Sequence, residues 1–96
     1  MFCRTYNVPT AGQSVAELIQ NDLPTFMQDQ VGIQGFRCDI IIQAPATNGN
    51  DVLFGDNTEQ AVAIIAGGSS GLFKAELNNL YVSGTGGDNV VIFLAY

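Results

Sequence analysis

From residue 36 onward, short runs rich in β-branched and aromatic residues, at 36–43, 52–54, 61–66, 72–76, 80–83 and 90–95, alternate with polar turn segments. Gly, Asn and Asp recur in the segments between them, at 46–51, 55–58, 67–71 and 84–89, where a reversing chain needs positive φ or a side chain that caps the backbone. Strand-length runs repeating at about 8–12 residues predict an all-β sandwich or barrel rather than a helix bundle. Within the first run, Cys38, Ile40 and Ile42 share one face and Arg37, Asp39 and Ile41 the other, which predicts a strand with one side in the core. The last run has no polar side: Val90, Ile92 and Leu94 share one face, Val91, Phe93 and Ala95 the other. Such a strand is either central in a two-layer structure or covered by a neighbouring subunit. The segment 84–89 has the length of a hairpin loop.

The N-terminal third is patterned differently. Residues 1–8 read as a strand ended by Pro9. Ser14, with Glu17 three positions on and Leu18 and Ile19 after it, has the form of a capping box, with Pro24 as a stop. This predicts a short helical turn near residues 14–21, with an irregular strand as the alternative. There is no internal repeat or low-complexity tract, and 96 residues lie near the commonest domain size, so a single domain spanning 1–96 is expected.

Composition adds a constraint on the surface. Hydrophobic residues make up 47% of the chain and charged ones 12%, against a usual charged share of about 25%. Asn, Gln, Ser, Thr and Gly must therefore build most of the exterior, and part of the apolar content is expected to meet a partner. Nine acids against Arg4, Arg37 and Lys74 give a net charge of −6, which repels phosphate backbones and anionic headgroups, so neither nucleic acid nor membrane is an expected partner. No apolar run approaches the roughly 20 residues of a spanning helix, and residues 1–10 lack the apolar stretch of a secretory signal, which points to folding in a cytosol. Cys3 and Cys38 are expected to be small core residues with reduced thiols, a disulfide between them being the alternative.

Catalytic chemistry finds little to work with. Gly67-Gly68-Ser69-Ser70-Gly71 matches the G-x-S-x-G pattern of a nucleophile elbow, but the chain has no His to act as base, and a strand rather than a helix follows. Asp51, Asp56, Glu59 and Asp88 could offer oxygens to calcium, although Asp is also an ordinary turn residue. Gly84-Thr85-Gly86-Gly87 lacks the Lys and the following helix of a phosphate cradle. A glycosidase would need a placed carboxylate pair, and only Tyr6, Tyr81 and Tyr96 offer a ring with a polar tip to a sugar. The expectation is a binding protein, not an enzyme, with no cofactor and no metal. Phe2, Phe36, Phe54, Phe73 and Phe93 all fall in predicted strands and are expected to be mostly core. With a single Lys in the chain, strand edges are poorly guarded against pairing, and subunit contacts are the natural cover for them.

Residues 50–56 (Asn50-Asp51-Val52-Leu53-Phe54-Gly55-Asp56), the turn Ile65-Ala66-Gly67-Gly68-Ser69 and the terminal stretch from Leu80-Tyr81-Val82-Ser83-Gly84 through Gly87-Asp88-Asn89-Val90 to Ile92 resemble a pattern of small virion proteins of tailed bacteriophages. The resemblance covers residues 37–96 and implies a small jelly-roll-like β-sandwich or barrel. It implies, further, a capsid cement or decoration protein on the virion surface, made in the host cytoplasm, that binds the major capsid protein as a homotrimer and stabilises the head shell. Longer fibre proteins of this type carry a coiled coil or receptor-binding extension that this sequence does not show. Phe2, Tyr6 and Tyr96, on terminal strands expected to be sheet edges, are the candidate interface residues. The competing expectation is a receptor- or glycan-binding fibre or attachment module that uses the loops 46–51 and 84–89.

Overall fold

The structure is a computed structural model that describes residues 1–29 and 37–95. Among these residues eight strands form: β1 (Phe2–Asn7), β2 (Gln13–Ser14), β3 (Arg37–Gln43), β4 (Val52–Gly55), β5 (Val62–Ile64), β6 (Phe73–Glu76), β7 (Tyr81–Ser83) and β8 (Asn89–Ala95). They make two antiparallel four-stranded sheets, in the orders β1-β8-β3-β6 and β2-β7-β4-β5. The pairs β1/β8, β2/β7, β3/β6 and β4/β5 run inward from the two chain ends like one long hairpin with its tip between β4 and β5. Rolling that hairpin up so that β8 also meets β3 and β7 also meets β4 gives the strand order of a jelly roll.

This topology sends every connection except β4–β5 from one sheet to the other. The segment 84–89 is therefore not the hairpin loop its length allowed: it carries the chain from β7 in one sheet to β8 in the other. β8 lies between β1 and β3 and is a central strand, with Val90, Ile92 and Leu94 on its core side. The expectation that the C-terminal strand forms a sheet edge is thus corrected; β1 is an edge.

The core lies between the sheets. Cys38, Ile40 and Ile42 of β3 and Val90, Ile92 and Leu94 of β8 point into it from one side, and Val52, Ile64 and Val82 from the other. Phe2 is buried there too, 5% exposed. Phe54 and Phe73 stack across the two sheets with ring centroids 5.7 Å apart. Phe93 departs from the expected core placement and faces outward, and Phe36 lies outside the described residues.

Ser14 caps the predicted helical turn, its Oγ accepting from the Glu17 N–H at 3.2 Å. Helix α1 (Val15–Ile19) runs into a 3-10 turn at Gln20–Asp22. This helical turn ends before Pro24 as expected, Leu23 being extended, and Pro24 then stands at the N-cap of a second short helix, α2 (Thr25–Gln28). Ile19, Leu23 and Met27 bury their side chains. Backbone bonds from Val15 to Leu80 and from Ala16 to Leu77 tie the segment to the β6–β7 connection, and the Tyr6 hydroxyl, donating to Asp22 at 2.7 Å, ties it to β1. No helix among the described residues is long and apolar enough to cross a membrane.

Cys38 is buried, whereas Cys3 is exposed on the outer side of its sheet and so departs from its expected core position. The two thiols lie on opposite faces of one sheet with β8 between their strands. Two strand spacings of about 4.8 Å separate the backbones, beyond the roughly 7 Å a disulfide spans, so both thiols are free.

Candidate functional site

Because connections cross at the ends of the sandwich, three loops distant in sequence meet: β1–β2, β3–β4 and β7–β8. The β3–β4 loop is clamped to the start of β8 by two side chains. The Asn48 amide, 8% exposed, donates to the Asn89 carbonyl at 2.7 Å and accepts from the Asn89 N–H at 2.9 Å, standing in for a strand partner. Asp88 accepts from the Gly49 and Asn50 N–H groups, one with each carboxylate oxygen, both at 3.1 Å. Val8 N–H donates to the Asp88 carbonyl and Gly84 N–H to the Pro9 carbonyl, bringing in the β1–β2 loop. A Cβ on Gly84 would stand 2.5 Å from Val8 Cγ1, so this close approach requires glycine.

Between the loops lies an open hollow of about 530 Å³, lined by Leu53 and by Thr10, Asn50, Asp51, Ser83 and Thr85. Its chemistry is hydroxyl, amide and one carboxylate. The acids considered for calcium do not gather: Asp51 and Asp88 lie at this end, while Asp56 and Glu59 lie at the β4–β5 tip. There Asp56 Oδ1 accepts from the Thr58 and Glu59 N–H groups. No group of three metal-ligating side chains occurs among the described residues.

The Gly67–Gly71 turn carries the chain from β5 to β6. Ser69 Oγ accepts from the Gly71 N–H at 3.1 Å, and Ser70 Oγ takes the Ile42 N–H at 3.0 Å while donating to the Gly71 carbonyl. Gly67 and Gly71 have φ of 82° and 74°, which is what the turn asks of glycine. Both hydroxyls serve the turn.

The outer face of the β1-β8-β3-β6 sheet is a second feature. Cys3, Phe93 and Ile41 stand in one cross-strand row, Thr5, Val91 and Gln43 in the next, and Ala95 beside Asp39 in a third. Ile41, Val91, Phe93 and Ala95 are half-buried, and among the described residues no strand or helix lies above them. Among the described strand residues of this face, charges stand at the β3–β6 border: Lys74 pairs with Asp39 at 3.3 Å, and Arg37 faces Glu76 in register. The face is neutral in a chain of −6, with its other acids elsewhere.

No protein family, curated protein or solved structure matches this chain. Of the residues marked from sequence as an interface, Phe2 is core and Tyr6 is half-buried and bonded to Asp22, leaving Cys3, Thr5 and Asn7 as the outward positions of β1. Tyr96 lies outside the described residues. Sequence reasoning named the last strand as apolar on both faces and open to cover by a subunit, but it did not place Ile41 beside Val91, Phe93 and Ala95 on one outer face. It named the loops 46–51 and 84–89, which the fold brings to one hollow.

Proposed function

We propose that this chain is a structural virion component of a tailed bacteriophage, a capsid cement or decoration protein that binds the major capsid protein and stabilises the head shell as a homotrimer. The observation that carries the binding step is the outer face of β1-β8-β3-β6: apolar at its centre, neutral, and without a second layer among the described residues. A sheet face of this kind buries apolar area against a second protein without desolvating unpaired charge. The jelly-roll strand order and the resemblance of residues 37–96 to virion domains supply the phage context. A protein that binds the expanded shell and not its precursor adds its binding free energy to the stability of that state. The other acids, none of them on the strands of this sheet, keep the free protein soluble and off packaged DNA.

The test is co-sedimentation with expanded, undecorated heads of its own phage. Saturable binding that is lost in Phe93→Glu, with thermal unfolding unchanged, supports the reading; absence of wild-type binding to both expanded and unexpanded heads refutes it. A second reading is favoured by one observation, the convergence of loops 46–51 and 84–89 on a hollow lined by hydroxyls, an amide and Asp51. In it the module takes a hydroxyl-rich glycan there. Chemical-shift changes confined to Thr10, Asn50, Asp51 and Thr85 on glycan titration, abolished by Asp51→Asn, would select it.

A further inference from the structure

The two flanks of the sandwich are finished differently. On one, β2 runs into α1, and the helical segment is bonded to β1 through Tyr6 and Asp22. On the other, β5 closes one sheet and β6 the other, and among the described residues β5 has no strand on its far side. Val62, Ile65 and Leu72 stand there 51%, 68% and 60% exposed, three of the five large apolar side chains so exposed in the described chain. The stacked rings of Phe54, in β4 next to β5, and Phe73, in β6, join the two sheets at this side. Residues 60–73 contain no ionisable side chain at all. The usual guards of an exposed edge, a Lys, a Pro or an inward charge, are missing from β5.

We infer that the β5–β6 flank is a self-association surface whose occupant is a second copy of this chain. Charge decides the occupant. Copies carrying −6 repel one another over most of their surface, and the 60–73 strip is the stretch of edge that brings none of those charges into the contact. Along residues 60–73 a partner recognised by its charge finds nothing to pair with, and Lys74 beyond them is already paired with Asp39, whereas a second copy meets an uncharged edge with apolar side chains that lose water. The unpaired edge of β5 adds backbone donors and acceptors that an approaching strand can satisfy. The inference places the contact between copies that the proposed homotrimer requires, and so rests on that part of the reading. Failure to bind heads leaves it standing, and a monomer that binds heads overturns it together with the trimer while leaving the head binding intact.

The experiment is light scattering on the intact chain and on two variants, Ile65→Glu and Val62→Lys. Wild type is expected at a discrete multiple of 10.2 kDa and both variants at 10.2 kDa, with wild-type circular dichroism and melting. Both positions are more than half exposed, so a charge is tolerated in the folded monomer. Added salt is expected to tighten wild-type association, since it screens repulsion between acidic copies without weakening an apolar contact. A monomeric wild type, a polydisperse aggregate, or an oligomer that survives both variants and dissociates with Thr5→Glu on the outer sheet face would each overturn the inference.

Discussion

Replacing Asn48 tests how the loop end is held. In Asn48→Ala both bonds to Asn89 vanish, and the Asn89 N–H and C=O lose partners at a position from which solvent is largely excluded. At about 1 kcal/mol net for each bond, plus part of the penalty for leaving a buried group unpaired, the expected loss is about 2–3 kcal/mol. For a domain of this size each kcal/mol moves the melting point by about 4–8 °C, so a fall of about 10–20 °C is expected. Asn48→Asp sharpens the test. It keeps an acceptor for the Asn89 N–H but sets a second carboxylate oxygen against the Asn89 carbonyl, where the amide donated, and brings a negative charge near Asp88. Both effects raise the folded-state pKa of the new carboxyl above its unfolded value of about 3.9. The stabilising contribution is then present below that unfolded value, where the protonated group donates again, and is lost as pH rises through the folded one. Urea unfolding of wild type and both variants across acid and neutral pH reads this directly. An Asn48→Ala variant within about 0.5 kcal/mol of wild type, or an Asn48→Asp deficit that does not shrink in acid, would refute the amide's role as a strand surrogate.

Three further outcomes are expected. A Cβ at Gly55 would run into the Glu59 carbonyl at the β4–β5 tip, so Gly55→Ala should cost about 1–3 kcal/mol in chemical denaturation, while Gly49→Ala, which meets nothing within 4 Å, should be silent in clash terms. Burial, the bond to Asp22 and the Asp22 charge hold the Tyr6 phenol above its usual range against a smaller pull from Arg4. Its stabilising contribution is therefore whole below about pH 10 and declines as pH rises toward the folded value, and melting curves should show this alkaline loss in wild type and not in Tyr6→Phe. Thiol titration should find one fast-reacting group, Cys3, and one protected until unfolding, Cys38, whose pKa burial and neighbouring Asp39 raise.

Alternation told correctly which side of β3 is core, because its outward positions Arg37, Asp39 and Gln43 are polar enough to break the symmetry. It told nothing of the kind for β8, where both faces are apolar and parity carries no information, so Phe93 was expected inside and faces out. Cys3 was misplaced for a related reason: on an edge strand a small apolar residue gains little from either side. The Ser14 cap was legible because it is a local contact over three residues. Strand partnership was not, since a strand's face is written in its own sequence while its neighbour is chosen by the whole roll. For that reason 84–89 looked like a hairpin and the meeting of Asn48 with Asn89, 41 residues apart, left no trace in the sequence.

The two surfaces assigned here share a strand, and that sharing makes a final prediction. β6 closes one sheet on the β5–β6 flank, and its outward Lys74 and Glu76 border the neutral face proposed for the shell. Copies joined edge to edge around a closed axis carry equivalent faces at equal tilt, so a face that leans toward one side does so in every copy. The shell then meets several faces at once, and the second and third contacts form at high effective concentration. Ile65→Glu, which leaves Phe93, Val91 and Ile41 untouched, should therefore bind heads far more weakly than wild type although its contact face is intact, while Phe93→Glu should lose head binding and keep its oligomer. Equal head affinity of the Ile65→Glu monomer and wild type would show that each face acts alone, and would separate the two proposals that the shared strand links.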